Sequence, residues 1–142
     1  MEITQDHNRR VWDERARQGL LHTRTARDDE FADPLKAING RGWIDGGLDG
    51  KQVLCLGGGG GLQAPLYAAA GAEVTVVDIS PEMLEQDRRV ARERGLELHT
   101  IAASMDDLPM LANASFDLVT QPVSTCYVPS LAKVYAEIAR VL

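Results

Sequence analysis

The spacing of apolar and polar positions changes several times along the chain. Over residues 4–18, Val11, Trp12 and Ala16 fall near one face of a helical repeat, Arg and Glu cover the rest, and Gly19 supplies a stop. An amphipathic arm or cap is predicted. Residues 20–50 mix charges with Gly, Pro34 and Asn39, and read as connecting chain with one short helix over 31–38. Its core contacts are expected from Phe31, Leu35, Ile38 and Trp43. At residues 52–56 the pattern becomes a short apolar run between Gly50 and a glycine cluster, the mark of a strand buried on both faces. A Leu- and Ala-rich stretch over 62–70 stops at Gly71 and predicts a helix with a glycine C-cap. A β-branched strand over 73–77 follows, then a helix entered through Ser80 and Pro81 that runs to Gly95. A third strand over 97–102, a fourth over 116–120 and a helix over 131–142 complete the series.

Regular alternation of strand and helix places parallel strands side by side, with the connecting helices on the sheet faces. The expected fold class is therefore α/β, a doubly wound, mostly parallel sheet with helices on both faces. Residues 1–50 are assigned to the helical arm and connecting segment, and residues 51–142 to the sheet domain.

Composition narrows the partners. At 142 residues the chain is long enough to bury its own core. Its net charge of −6 argues against a phosphate-driven nucleic-acid partner, which needs Lys and Arg on one face, and favours a small molecule. Cys55 and Cys126 belong to no CxxC or Cys/His cluster, so no metal site is expected. No apolar stretch is long enough to span a bilayer, and the N-terminus lacks the apolar core of a signal peptide, so the expected location is cytoplasmic.

The candidate chemistry lies at the glycine run, residues 57–61, between the first strand and the helix after it. Missing Cβ atoms let the backbone approach a ligand closely, at the sheet end where Rossmann-like folds bind nucleotides. Five glycines alone read equally as a tight turn. Asp78 adds a second signal, because a carboxylate directly after the second strand can accept hydrogen bonds from both hydroxyls of a ribose. Its alternative role, capping the Pro81 helix, falls better to Ser80. The glycines at 57, 59 and 61 spell GxGxG rather than the GxGxxG of nicotinamide-dinucleotide binders, and Leu62-Gln63 stand where a Walker loop needs Lys and Ser or Thr.

Residues 53–84, VLCLGGGGGLQAPLYAAAGAEVTVVDISPEML, resemble the first and second motifs of the class I S-adenosylmethionine-dependent methyltransferases, of the type 11/25 kind. Residues 106–119, DDLPMLANASFDLV, resemble the third and fourth, and Trp12-Asp13 more loosely resemble the N-terminal arm of that family. The resemblance implies S-adenosylmethionine as cofactor and S-adenosylhomocysteine as product. It places Gly57, Gly59 and Gly61 beneath the methionine part and Asp78 on the ribose. Ile79 and Met83 would flank the adenine, Ser104 and Met105 would lie at its edge, and the Gln121 carbonyl would lie near the ammonium group. Ile79 and Met83 read otherwise as core, and Ser104 as a loop residue; the family often has Asp where Ser104 stands.

The family also carries Asp or Glu where Cys55 stands, and inside a buried strand that cysteine reads as an inert hydrophobe. Methyl transfer needs positioning more than a protein nucleophile, so no catalytic residue is assigned, and the implied partner is a small-molecule acceptor. A non-catalytic S-adenosylmethionine-binding module and an NAD-binding Rossmann domain are the rival readings. The resembling family continues beyond EIARVL through a glycine turn into three further strands. The sheet is therefore expected to be truncated after its fourth strand, with residues 116–123 forming a free apolar edge suited to homo-oligomerisation.

Overall fold

The computed structural model describes residues 3–142; Met1 and Glu2, the start of the expected 1–50 segment, lie outside the described residues. Strands β1 (Gln52–Leu56), β2 (Glu73–Asp78), β3 (His99–Ala102) and β4 (Leu118–Thr120) form one sheet in the order β3-β2-β1-β4. Every pairing is parallel. β1 is central because its side chains are apolar on both faces: Val53 and Cys55 point to one side, Leu54 and Leu56 to the other, and all four are buried.

Helices α4 (Gln63–Ala69) and α5 (Pro81–Arg94) cover the Val53 face, where Ala64, Tyr67 and Leu84 pack with Val74 and Val76. On the opposite face, α6 (Leu131–Val141) packs Val134 and Val141 against Leu54, Leu56 and Val77, with Met105, Leu108 and Leu111 filling the space between. The structure thus carries the expected α/β sheet with helices on both faces. Helix α5 starts as its sequence predicts. The Ser80 hydroxyl accepts the Met83 amide at 3.1 Å, Pro81 follows, and Gly95 ends the helix in the left-handed region at φ 65°.

Three local expectations are corrected. The helix expected over 31–38 is two, α2 (Asp28–Ala32) and α3 (Pro34–Ile38), because Pro34 lacks an amide and forces the preceding Asp33 out of the helical region, to φ −143° and ψ 78°. The fourth strand begins at Leu118 rather than 116, since the Ser115 and Phe116 amides both turn to the Val141 carbonyl at the end of α6. Trp43, expected in the core, is exposed beneath the Arg41 guanidinium, and Leu48 is buried instead.

The segment before β1 is docked on the sheet domain. Helix α1 (Ile3–Gln18) lies along α5, where Arg17 pairs with Glu82 at 3.2 Å, and Leu35 and Ile38 of α3 pack on the Val53-face core. Polar Asp13, on the docked side of α1, is buried while Val11 is exposed.

Candidate functional site

At the carboxyl ends of β1 and β2 the glycine loop, Asp78 and the N-terminal arm enclose a cavity of about 850 Å³. The loop is held by its own amides. Gly57 donates to the Val77 carbonyl (2.8 Å), Gly59 to Asp78 Oδ2 (2.9 Å), Gly60 to the Met83 carbonyl (2.9 Å) and Gly61 to Asp87 Oδ1 (2.8 Å). These four amides face protein acceptors, so the loop offers the cavity its shape rather than a row of donors. Glycine is needed for closeness: a Cβ on Gly59 would lie 2.8 Å from both Asp78 Oδ2 and the Met83 Cβ.

Asp78 is 8% exposed and lines the cavity. Its Oδ2 accepts the Gly59 amide and its Oδ1 the Ser80 amide at 2.9 Å, which leaves lone pairs on both oxygens for a ligand. Burial raises its pKa, and the Ser80, Gly59 and Ile79 amides counter that rise.

Gly57, Gly59, Ile79, Met83, Ser104 and Met105 also line the cavity. Gly61 and Gln121 do not form part of its wall. Gly61 (φ 76°) is a packing glycine, since a Cβ there would meet Thr25 and Val90 side-chain carbons at 2.9 Å, and its carbonyl accepts the Ala26 amide. Gln121 sends its side-chain amide to the Met105 sulfur at 3.1 Å. Ser104 Oγ donates to Asp106 Oδ1 at 2.5 Å, so a carboxylate stands beside the serine, two residues further on. Cys55 is fully buried and burial pushes its thiol pKa up, consistent with an inert strand residue.

The arm roofs the cavity. Asn8 donates to the Tyr127 carbonyl at 2.8 Å, Gln5 to Asp106 at 3.2 Å, and the Trp12 ring meets Tyr127 edge-on at a centroid distance of 5.5 Å. Leu20, Leu21 and His22 continue this wall. His22 stands at φ 70°, in the region that favours glycine.

Two buried carboxylates escaped the sequence reading. Asp13 accepts from Ser80 Oγ at 2.6 Å and the Glu82 amide at 3.3 Å; the sequence marks it only as part of the Trp12-Asp13 resemblance, and on a helix charged nearly all round its burial leaves no local sign. Asp87 is fully buried under the loop, accepting from Gly61 at 2.8 Å and Gly60 at 3.3 Å. It did leave a signal, because the buried face of α5 runs Met83, Leu84, Asp87, Val90 and Ala91, and an acid sits in the middle of that apolar repeat.

Residues 54–142 match the family model described as methyltransferase domain. A protein of Bacillus subtilis (strain 168) named uncharacterized methyltransferase YbaJ is 37% identical, over 96% of this chain and 57% of its own length. The ubiquinone biosynthesis O-methyltransferase of Bordetella pertussis is 36% identical, over 75% of this chain and 46% of its own. The chain spans about half the length of the curated relatives it matches. Among solved structures, geranyl diphosphate C-methyltransferase from Streptomyces coelicolor, in complex with Mg2+, geranyl diphosphate and S-adenosyl-L-homocysteine, superposes with a TM-score of 0.75. It covers 99% of this chain and 61% of that one at 18% identity, a likeness of fold.

Proposed function

The chain belongs to the class I S-adenosylmethionine-dependent methyltransferases, and from that premise we propose that residues 3–142 hold the cofactor for methyl transfer to a small-molecule acceptor. The observation that carries this reading is Asp78, a buried carboxylate with lone pairs to spare, facing an 850 Å³ cavity beside glycines that admit no Cβ. A nucleoside fits that donor set: Asp78 accepts from the ribose hydroxyls, Ile79 and Met83 pack against the flat base, and Ser104 and Met105 border its edge. Gly57 and Gly59 leave room for the methionine part.

When bound, the cofactor supplies an electrophilic methyl group on a neutral leaving group. This chain's residues do the positioning and the exclusion of water. The arm closes the cavity through the Asn8 and Trp12 contacts with Tyr127. The wall near the arm carries Trp12, Leu20, Leu21, Val123 and Tyr127 alongside the polar Asn8 and His22, and Arg24 beside it is paired with Glu30 at 2.9 Å. That wall suits an uncharged, largely apolar acceptor.

Calorimetric titration with S-adenosylmethionine, S-adenosylhomocysteine and NAD tests the reading. The two adenosyl ligands bind and NAD does not, and Asp78→Ala weakens adenosyl binding at least tenfold. Equal affinity for NAD, or undiminished binding by the variant, overturns it.

A further inference from the structure

We propose that Asp87 is a positioning residue for cofactor binding, whose carboxylate fixes Gly60 and Gly61 in the conformation that shapes the cavity. The inference rests on the adenosyl-binding reading above. Asp87 projects from the middle of α5 into the underside of the loop, touches no cavity space, and spends its oxygens on the loop: Oδ1 accepts Gly61 at 2.8 Å and Oδ2 accepts Gly60 at 3.3 Å. Among the described residues no cation forms an ion pair with it, since Arg88, the next residue, donates instead to Glu85 and Thr100. A fully buried acid without a salt bridge carries a desolvation penalty that an apolar residue at this position of the repeat would avoid. What it supplies in return is the acceptor for the Gly61 amide and a second, longer one for the Gly60 amide, which it shares with the Met83 carbonyl at 2.9 Å; the two glycines stand at φ 76° and 119°. Loop geometry at Gly60 matters to the cavity directly, because Gly60 lines it and lies against Met83.

Ionisation state decides how well this clamp works, because a carboxylate accepts at both oxygens while a protonated acid carries its proton on one. Burial pushes the Asp87 pKa up to about 8, the Asp78 charge acts in the same direction, and the Gly61 and Gly60 amides oppose them. The titratable groups facing it are Asp78 at the end of β2, the Cys55 thiol in β1 and Arg88 on its own helix. The loop therefore tightens as pH rises through about 8.

Two measurements on the full chain test this. In the ligand-free protein, carbon-detected NMR of Gly60 and Gly61 shows a shared titration near pH 8 that Asp87→Asn abolishes, while Gly57, bonded to Val77, stays flat. With S-adenosylhomocysteine as probe, wild-type affinity rises between about pH 7 and pH 9; the variant binds at least tenfold more weakly at the upper end and lacks that rise. Glycines that do not titrate, or a variant with the wild-type affinity profile, overturn the proposal. Should the variant fail to fold, the wild-type loop titration decides alone. Loop titration without S-adenosylhomocysteine binding at any pH overturns the role in cofactor binding through failure of the adenosyl reading, and is told apart by the ligand-free spectra.

Discussion

The Asp13 carboxylate accepts the Ser80 hydroxyl at 2.6 Å across 67 residues of sequence, tying the arm to the first turn of α5. Ser80 in turn accepts the Met83 amide, so one hydroxyl both caps the helix that carries Met83 and Asp87 and anchors the helix that roofs the cavity.

Ser80→Ala removes both bonds at once and leaves Asp13, 5% exposed, short of a donor. The loss of a cap and of a buried partner together costs about 1–3 kcal/mol. For a chain of this size each kcal/mol lowers the melting temperature by roughly 2–4 °C. An unchanged melting temperature contradicts the link.

Gly59→Ala separates the shape of the loop from its amides. The new Cβ lies 2.8 Å from Asp78 Oδ2 and from the Met83 Cβ, and neither can retreat: Asp78 is held by the Ser80 amide and Met83 belongs to α5. Overpacking costs about 1–3 kcal/mol, and the displaced Asp78 carboxylate weakens adenosyl binding more than tenfold. Wild-type affinity by calorimetry in a folded variant shows that the cavity does not depend on this contact.

Those two contacts also mark how far the sequence could be read. Glycine, proline and serine at an element boundary state their backbone role locally, which is why the glycine run, the Ser80-Pro81 start and the Gly95 stop stand where their residue types predict. The break between α2 and α3 is equally local, in the Asp33-Pro34 pair, where the missing proline amide outweighs the helical repeat on either side. Asp13 and Trp43 lie beyond local reading, since burial of a charge or exposure of an indole depends on which distant segment packs there, whereas Asp87 is marked locally by its place in the apolar repeat of α5. The direction of the loop amides is likewise set by Val77, Asp78, Met83 and Asp87, residues from β2 and α5.

β4 is paired with β1 on one side, and among the described residues no strand lies on the other. Its residues Leu118, Val119 and Thr120 are all half-buried, so a partner would find both backbone groups and apolar surface there. The 142-residue chain is expected to self-associate through this edge at high micromolar concentration, and Val119→Lys to weaken that association. Light scattering that shows a strict monomer at those concentrations counts against it.

The Glu30 and Asp87 carboxyls make opposite demands on stability, in adjoining pH windows. Glu30 is held down at about 2 by the Arg24 guanidinium, from an ordinary 4.5, so its contribution is present above 4.5 and is lost as pH falls through 2. Asp87 goes the other way. Its folded pKa of about 8 lies above its ordinary 3.8, so the folded state binds the proton more tightly than the unfolded chain does. That contribution is fully present below about 3.8 and is lost as pH rises through 8. Asp87→Asn has no proton to lose, so wild-type stability should fall relative to the variant between about pH 4 and pH 8, as read from urea midpoints at each pH. The variant thus gains relative stability as pH rises towards 8, and above that pH it binds the adenosyl ligand more weakly than the wild type, the pattern expected of a buried acid retained for loop geometry rather than for folding. A constant difference between the two midpoints across that range means that Asp87 titrates normally, and removes the pH dependence from the loop.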